Sequence, residues 1–349
     1  MPMTCFRVDA SVEVGTGHLM ECLALAESFS RISSSSCLFL TNGFEPACHI
    51  LEEQGYRFRI VPPELSIEQE RAWISGVLEG TGAGLLVCNL LDREDSFYND
   101  LRGHRAILVV VLEDGLHRRV PGDIVVNFSI LQDESFYRQF DGDGTRYCIG
   151  PRYMPMREEF HEKWRRPRQT PVQVSSIFVN QGGSDPFGLT ARILRGLELL
   201  DLDQEIMVVV GSAVPDHFIR ELKSLEKQAH NTYSFAWGVS PQEMGEIMER
   251  SDLAITAAGN TLYELAIFGV PSLVVCHHER HLAVARRFEE RGAAINLGIG
   301  SLLAEEEIAR ATGALLGSPE KRQALSGKMK GIVDGLGCRR IADTVGSVW

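Results

Sequence analysis

The sequence predicts an α/β protein made of two sequential domains, each a doubly wound parallel sheet with helices on both faces. Short apolar runs alternate with helix-period segments along most of the chain. The 349 residues exceed what a single core usually supports. A stretch rich in Arg, Glu and Pro at residues 151–171 has no clean strand, and the strand–helix pattern restarts after it. Together these observations favour two domains rather than one.

The first predicted domain begins with a strand at 5–8 and a glycine-containing loop. Leu19, Leu23, Ala26 and Phe29 then follow at near-helical spacing, which indicates a helix directly after the loop. Helices are also predicted at 46–54 and 67–78. Further strands are predicted at 37–40, 56–61, 85–88, 107–112 and 124–126.

The second predicted domain repeats this alternation, and Gly269 and Pro271 supply the stop signals expected after a helix. Its strands are predicted at 175–179, 206–210, 233–236, 253–256 and 272–276. Its helices are predicted at 189–200, 216–226, 241–250 and 260–268, with further helices beyond Leu282. The expected domains are 1–155 and 173–330, joined by a linker at 156–172, and a C-terminal helix at 331–349 can return to the first domain.

Composition restricts the class of partner. A formal net charge of −12 argues against nucleic acid, because neutralising phosphates requires a basic face. The eight cysteines are scattered without a C-x-x-C pair, which suits buried thiols in a reducing compartment better than disulfides or zinc. There is no sign of a signal peptide or of an apolar run long enough to insert stably in a membrane. We therefore expect a cytoplasmic protein.

The loop between the first strand and helix carries Gly15, Gly17 and His18. The glycines leave no side chain over the loop backbone, and His18 falls in the first helical turn, where free amides favour an anion. This pattern is typical of a base placed beside an anion site. Alone, however, it fits a tight turn with a surface histidine better.

A second glycine loop spans residues 180–185 and contains Gly182, Gly183, Ser184 and Asp185. The glycines permit close backbone approach to a ligand. Ser184 or Asp185 can equally well cap the next helix without any ligand. The two interpretations are equally supported.

The third loop joins the strand at 253–256 to the helix at 260–268. The amides of Gly259, Asn260 and Thr261 would face a phosphate, and Glu264 could accept hydrogen bonds from two ribose hydroxyls. Alternatively, Thr261 and Glu264 form a capping box in which Glu264 binds the Thr261 amide. The spacing alone does not decide between these alternatives.

This third stretch resembles the nucleotide-sugar motif of GT-B-fold proteins such as the peptidoglycan N-acetylglucosaminyltransferase. The opening stretch RVDASVEVGTGHLMECLALAESF more specifically resembles the pseudaminic-acid-pathway UDP-sugar hydrolase and its spore-coat-polysaccharide relatives. Three further segments follow in that family's order: LEDGLHRRVPGDIVVN, YCIGPRYMPMREEF and VNQGGSDPFGLT. The resemblance covers residues 7–298 and implies a GT-B-like fold, with two Rossmann-like domains facing each other across a cleft.

The resemblance implies a UDP-sugar substrate. It also implies that His18 is the general base, which directs water at the anomeric carbon so that UDP leaves with inversion. Histidine suits this work because its ordinary titration lies near neutral pH. Metal-free catalysis is the simpler expectation, so neither a metal nor another cofactor is expected. The setting would be surface-polysaccharide or nonulosonic-acid biosynthesis, with partner enzymes of the same pathway. A glycosyltransferase using another acceptor and a non-catalytic nucleotide-sugar binder are the alternatives.

Several positions depart from the family. Glu21 replaces an arginine, Asn89 and Leu91 replace an aspartate and a tyrosine, and Arg280 and His281 replace an Asn-Gln pair. These departures leave open which sugar is bound and whether water is the acceptor.

Two other groups of residues invite a role. The histidines at 277, 278 and 281 could suggest zinc, but they lack H-E-x-x-H spacing, and a polar loop lining the sugar pocket, with His281 binding substrate, is favoured. Asp9 could orient His18 or cap the glycine loop, with equal support. Glu113 and Asp114, at a strand end, could cap a loop or touch sugar hydroxyls.

Overall fold

All the paired strands run parallel and form two sheets, one in each of two units of the computed structural model. The structure describes residues 3–91, 93–103, 107–113 and 117–348, and only the backbone of residues 158 and 159. The first unit holds the residues up to Ser11, His18–Glu158 and the residues from Gly335 onward. The second unit holds Val12–Gly17 and Glu159–Asp334.

The first unit contains a seven-stranded sheet of order β3-β2-β1-β4-β5-β6-β7. Its strands are β1 (Met3–Val8), β2 (Ser36–Thr41), β3 (Arg57–Ile60), β4 (Ala83–Asn89), β5 (Leu108–Leu112), β6 (Ile124–Asn127) and β7 (Arg146–Ile149). Its helices are α1 (Gly17–Ser33), α2 (Glu45–Glu53), α3 (Ile67–Thr81), α4 (Asp95–Arg102) and α5 (Glu134–Arg138). A further helix, α6 (Glu158–Trp164), begins at the boundary between the units.

This sheet is buried on both faces because its strands are apolar at successive positions. Along β5, Val110 packs into the core that contains α1. Its neighbours Val109 and Val111 point to the opposite core, which contains residues of α3 and α4. The period of two along the strand thus distributes one apolar run between two cores.

The second unit contains a six-stranded sheet of order β10-β9-β8-β11-β12-β13. Its strands are β8 (Ser176–Asn180), β9 (Glu205–Val210), β10 (Tyr233–Trp237), β11 (Leu253–Thr256), β12 (Ser272–Cys276) and β13 (Ile295–Ile299). Its helices are α7 (Leu189–Leu197), α8 (Asp216–Gln228), α9 (Pro241–Arg250), α10 (Asn260–Phe268), α11 (Glu279–Glu290), α12 (Glu305–Leu316) and α13 (Pro319–Met329).

The last helix, α14 (Gly337–Val348), packs in the first unit. Its apolar face, including Ile341 and Val345, joins the same core as Phe6 and Phe39, whose rings stack with centroids 4.9 Å apart. A chain segment far along the sequence therefore completes the core under the first strand.

The predicted α/β class with two parallel sheets is confirmed. Two strands were missing from the prediction, β7 and β13. Both lie at a sheet edge, where one side has no neighbouring strand and the apolar pattern is weaker. The domain limits at 155, 172 and 330 stay predictions, although the predicted linker at 156–172 contains helix α6.

Two properties predicted from composition can be compared with the structure. All eight cysteines are free thiols, and all but Cys48 are buried. No helix in the described ranges is both long enough and apolar enough to span a bilayer.

Candidate functional site

The first glycine loop, Val12–Gly17, belongs to the second unit, although the sequence alone placed it in the first domain. Gly15 has a φ of 74°, and a Cβ added to it would lie 3.5 Å from the Ser184 hydroxyl oxygen. A Cβ added to Gly183 would lie 2.7 Å from the Thr16 hydroxyl oxygen. The absence of a side chain at Gly183 therefore allows the second glycine loop to approach Thr16 of the first loop closely.

The same loop is attached to the start of α10. The Asn260 side-chain amide donates a hydrogen bond to the carbonyl oxygen of Gly17, with a distance of 3.3 Å. A Cβ on Gly17 would lie equally close to that amide nitrogen. The second unit therefore brings together residues of all three glycine loops that the sequence singled out.

His18 follows directly and lies in the first turn of α1, half-buried. Its carbonyl oxygen accepts a hydrogen bond from the Asn89 side chain at 3.2 Å. The same Asn89 nitrogen donates to a Glu21 carboxylate oxygen at 2.8 Å. Glu21 and Asn89 are both only 4% exposed.

Two departures from the family are therefore partners in this structure. Glu21 stands where the family has an arginine, and Asn89 stands where it has an aspartate. The hydrogen bond between them joins α1 to the end of β4. Leu91, the third departure in this region, is half-buried just beyond the end of β4.

Asp9 leaves β1 in an ion pair. The buried guanidinium of Arg7 donates to both Asp9 carboxylate oxygens and also to Glu70. Arg93 lies 3.0 Å from Glu70 and 3.9 Å from Asp9. Among the described residues, Asp9 accepts hydrogen bonds from Arg7 rather than from His18, so both predicted roles of Asp9 lack a supporting contact.

Several polar groups of the second glycine loop form hydrogen bonds within the second unit. The Gly182 amide donates to the Asn180 side-chain oxygen at 2.9 Å, and Gly183 accepts from the Ala213 amide at 3.0 Å. Asp185 accepts hydrogen bonds from the amides of Leu189 and Thr190, the first two residues of α7. Capping is therefore confirmed for Asp185, and burial raises the pKa of this carboxyl.

The third loop does not form the capping box that was one of its two predicted interpretations. Helix α10 has Gly259 as its N-cap, without a side-chain cap, so Thr261 lies inside the helix. The proposed capping box, with Thr261 at the N-cap position, is wrong for this reason. Thr261 instead donates to the Asn180 side-chain oxygen at 3.3 Å, and Glu264 lies half-buried one turn further on.

The histidine segment at 277–281 lies at the end of β12 and the start of α11. His277 makes a 3.1 Å hydrogen bond to the side-chain oxygen of Gln181. Burial lowers the pKa of His277 to about 4 and that of His281 to about 3, with neighbouring histidines adding to the effect. These imidazoles are therefore neutral at neutral pH.

Neither the strand-end acids nor the histidines at 277, 278 and 281 form a metal site within the described part of the chain. No group of three or more His, Cys, Asp or Glu side chains there is placed to hold a metal ion. Glu113 lies 3.4 Å from the Arg118 guanidinium. Asp114 lies outside the described residues, and Arg280 is exposed on the first turn of α11.

From the sequence alone, Asn180 and Gln181 had no assigned role. Asn180 holds both the Gly182 amide and the Thr261 hydroxyl, so it connects the second and third loops. Their position offered a signal, because both are polar residues at the carboxyl end of a buried strand, where ligands of parallel sheets bind.

The two doubly wound parallel sheets give this chain a glycosyltransferase-like GT-B fold. MurG from Acinetobacter baumannii superimposes with a TM-score of 0.70, covering 99% of this chain and 100% of that one at 14% identity. Residues 176–334 match the Glycosyltransferase family 28 C-terminal domain.

Two curated proteins are similar to this chain by sequence. The spore coat polysaccharide biosynthesis protein SpsG of Bacillus subtilis is 27% identical over 338 residues, covering 95% of this chain and 94% of SpsG. The UDP-2,4-diacetamido-2,4,6-trideoxy-beta-L-altropyranose hydrolase of Campylobacter jejuni is 20% identical over 297 residues, 82% of this chain and 96% of that protein. The resemblance predicted from the sequence is confirmed.

Proposed function

We propose that this protein binds a UDP-sugar and hydrolyses it to UDP and a free sugar, with His18 as the general base. One observation carries the proposal. The loop that leads into His18 packs against Gly183 and Ser184 and accepts a hydrogen bond from Asn260. The candidate base thus directly follows a backbone segment fixed by the two loops that would hold the nucleotide.

The nucleotide would bind at the start of α10. Gly259, the N-cap residue of this helix, has no side chain to cap it, and the helix dipole favours a diphosphate near Asn260 and Thr261. Glu264, one turn along, would accept hydrogen bonds from the ribose hydroxyls. Among the second-loop amides, Gly182 already donates to Asn180, so Gly183 and Ser184 remain the candidates for phosphate contact.

In the proposed reaction, a water oxygen forms a bond to the anomeric carbon while His18 accepts the water proton. The bond from the anomeric carbon to the diphosphate oxygen breaks, and UDP leaves with the bonding electron pair. Attack opposite the leaving group inverts the anomeric configuration. General-base help of this kind typically contributes roughly 10²–10⁴ in rate.

A second candidate is a glycosyltransferase with the same donor site and another acceptor. The match of residues 176–334 to the Glycosyltransferase family 28 C-terminal domain favours it. Loss of the family residues at 21 and 89 is compatible with either acceptor because the two replacements bind each other.

The proposal also places the protein in the cytoplasm, among enzymes that make or consume the same sugar for a surface polysaccharide or a nonulosonic acid. The eight free thiols support a reducing setting. The spore-coat and pseudaminic-acid-pathway names of the relatives support the pathway.

A panel of UDP-sugars tests the proposal. Each compound is incubated with the protein, with and without sugar acceptors, and UDP release is followed. We expect release without any acceptor for at least one amino sugar or deoxy sugar. Release only with an acceptor would support the transferase instead, and tight binding without turnover would indicate a non-catalytic binder.

A further inference from the structure

Two polar side chains meet above the end of β11 in the second unit. Gln181 directly follows β8, and His277 directly follows β12, while β11 lies between these strands in the sheet. Their 3.1 Å hydrogen bond therefore crosses the carboxyl end of β11. Ala257 and Ala258, which follow β11, have side chains small enough to leave room for it. The pair consequently lies beside the start of α10, which begins at Asn260.

The pair leaves hydrogen-bonding capacity unused. Gln181 is 1% exposed, and its side-chain nitrogen has no hydrogen-bond partner among the described residues. The buried Nδ1 of His281 likewise has none. Since the Gln181 oxygen is an acceptor, His277 must donate from Nε2. Buried polar groups in folded proteins are nearly always satisfied, so these two atoms point to a bound group that completes them.

Two aromatic rings lie near the ring of His277. The His277 ring lies 5.2 Å from that of His281 and 6.0 Å from that of Phe187, measured between centroids. Phe187 is 54% exposed, although phenylalanine is usually buried. Rings of this kind offer flat apolar faces to the CH groups of a pyranose.

The charge of this cluster suits an uncharged group better than the diphosphate. Burial holds His277 and His281 neutral at neutral pH, so they supply no cation. An amide donor and neutral imidazoles suit an uncharged oxygen, such as a hydroxyl or an acetamido carbonyl.

We propose that Gln181, held by His277, is a specificity-determining residue that donates a hydrogen bond to an oxygen of the sugar ring's substituents, with His281 and Phe187 completing this subsite. This inference rests on the proposed function and extends it, because it names the residues that distinguish a UDP-sugar from UDP.

Calorimetric titration with UDP and with the UDP-sugar that binds the wild type most tightly tests the inference. In Gln181→Met, which keeps the side-chain length and removes the donor, we expect UDP affinity within twofold of wild type. Affinity for the UDP-sugar should fall about tenfold, the loss typical of one hydrogen bond. Gln228→Met, on the exposed surface of α8, is the matched control and should change neither affinity.

Equal weakening of UDP and the UDP-sugar in Gln181→Met would overturn the inference, as would an unchanged ratio of the two affinities. If Gln181→Met does not fold, Phe187→Ala decides on the same criteria, because the Phe187 side chain is mostly exposed. Failure of the wild type to bind any uridine nucleotide is a different result, which would reject the proposed function itself.

Discussion

Asn89 shows how a single residue can connect two departures from a family pattern. Its side-chain nitrogen donates to the His18 carbonyl and to the Glu21 carboxylate. Glu21, Asn89 and Leu91 are three separate departures in the sequence. In the structure the first two are hydrogen-bond partners that connect the end of β4 to the first turn of α1.

Replacing Asn89 with leucine tests whether this link positions His18. We expect Asn89→Leu to lose about 1–3 kcal/mol of stability, because the buried Glu21 carboxylate loses a donor. Turnover should fall at least several-fold while UDP affinity stays near wild type, since the proposed nucleotide contacts lie in the second unit. Thermal unfolding, steady-state kinetics and UDP titration measure these three effects.

Asn99→Leu, at an exposed position of α4, is the control and should leave all three quantities unchanged. Wild-type turnover in Asn89→Leu would show that the hydrogen bond to His18 has no role in the reaction.

At the scale of elements, the second glycine loop is held by close backbone packing. A Cβ on Gly211, just after β9, would lie 2.2 Å from the Gly183 carbonyl oxygen and 2.5 Å from the Gly183 Cα. Backbone atoms cannot move aside as a flexible side chain can. The position of the Gly182–Ser184 segment therefore depends on the absence of a side chain at Gly211.

We accordingly expect Gly211→Ala to displace this loop. Overpacking of this kind costs roughly 1–3 kcal/mol, and UDP affinity should fall as the amides of Gly183 and Ser184 move. Chemical denaturation and UDP titration measure the two effects. Gly327→Ala is the control within the same unit, because a Cβ there meets no atom within 4 Å and alanine favours its helix, α13. Unchanged UDP affinity in Gly211→Ala would remove this loop from the nucleotide site.

Glycine loops were predictable from the sequence as loops, but their partners were not. Gly15, Gly17, Gly183 and Asn260 were each chosen from local spacing, and their mutual contacts depend on folding. Local spacing also favoured the wrong capping box at Thr261, because a Thr…Glu pair three residues apart fits both a cap and a helix interior. The contacts of Gln181 and Asn180 were not predicted, because a polar residue at a strand end has no distinctive spacing.

At the scale of the whole molecule, the parallel architecture followed from the sequence because each strand buried on both faces is a continuous apolar run. The edge strands β7 and β13 lacked that signal. The grouping of Val12–Gly17 with the second unit could not be predicted, since it depends on contacts with residues about 170 and 245 positions away.

The neutral histidines predict how the stability of the molecule depends on pH. An unfolded histidine titrates near ~6.5, whereas burial lowers the pKa of His277 to about 4 and that of His281 to about 3. Below pH ~6.5 the unfolded state therefore binds protons that the folded state does not, and the free energy of unfolding decreases. Each histidine contributes at most about 1.4 kcal/mol per pH unit, until the pH reaches its folded pKa.

Denaturant unfolding at pH 7 and pH 5 measures this effect. We expect the double variant His277→Gln/His281→Gln to lose less stability between these pH values than the wild type. The double variant His49→Gln/His217→Gln, at exposed positions, should lose as much as the wild type. The same loss in both double variants would mean that His277 and His281 titrate normally in the folded protein.

The central claim is that His18 activates water against a UDP-sugar. It is tested most directly by proton NMR of the UDP-sugar that the wild type turns over, in buffer without any acceptor. We predict that free sugar appears first as the anomer opposite to the substrate, and that His18→Asn slows its formation by roughly 10²–10⁴ while still binding UDP. Free sugar formed by His18→Asn at the wild-type rate would contradict the role of His18 as the base, and free sugar first formed with retained configuration would contradict direct attack of water.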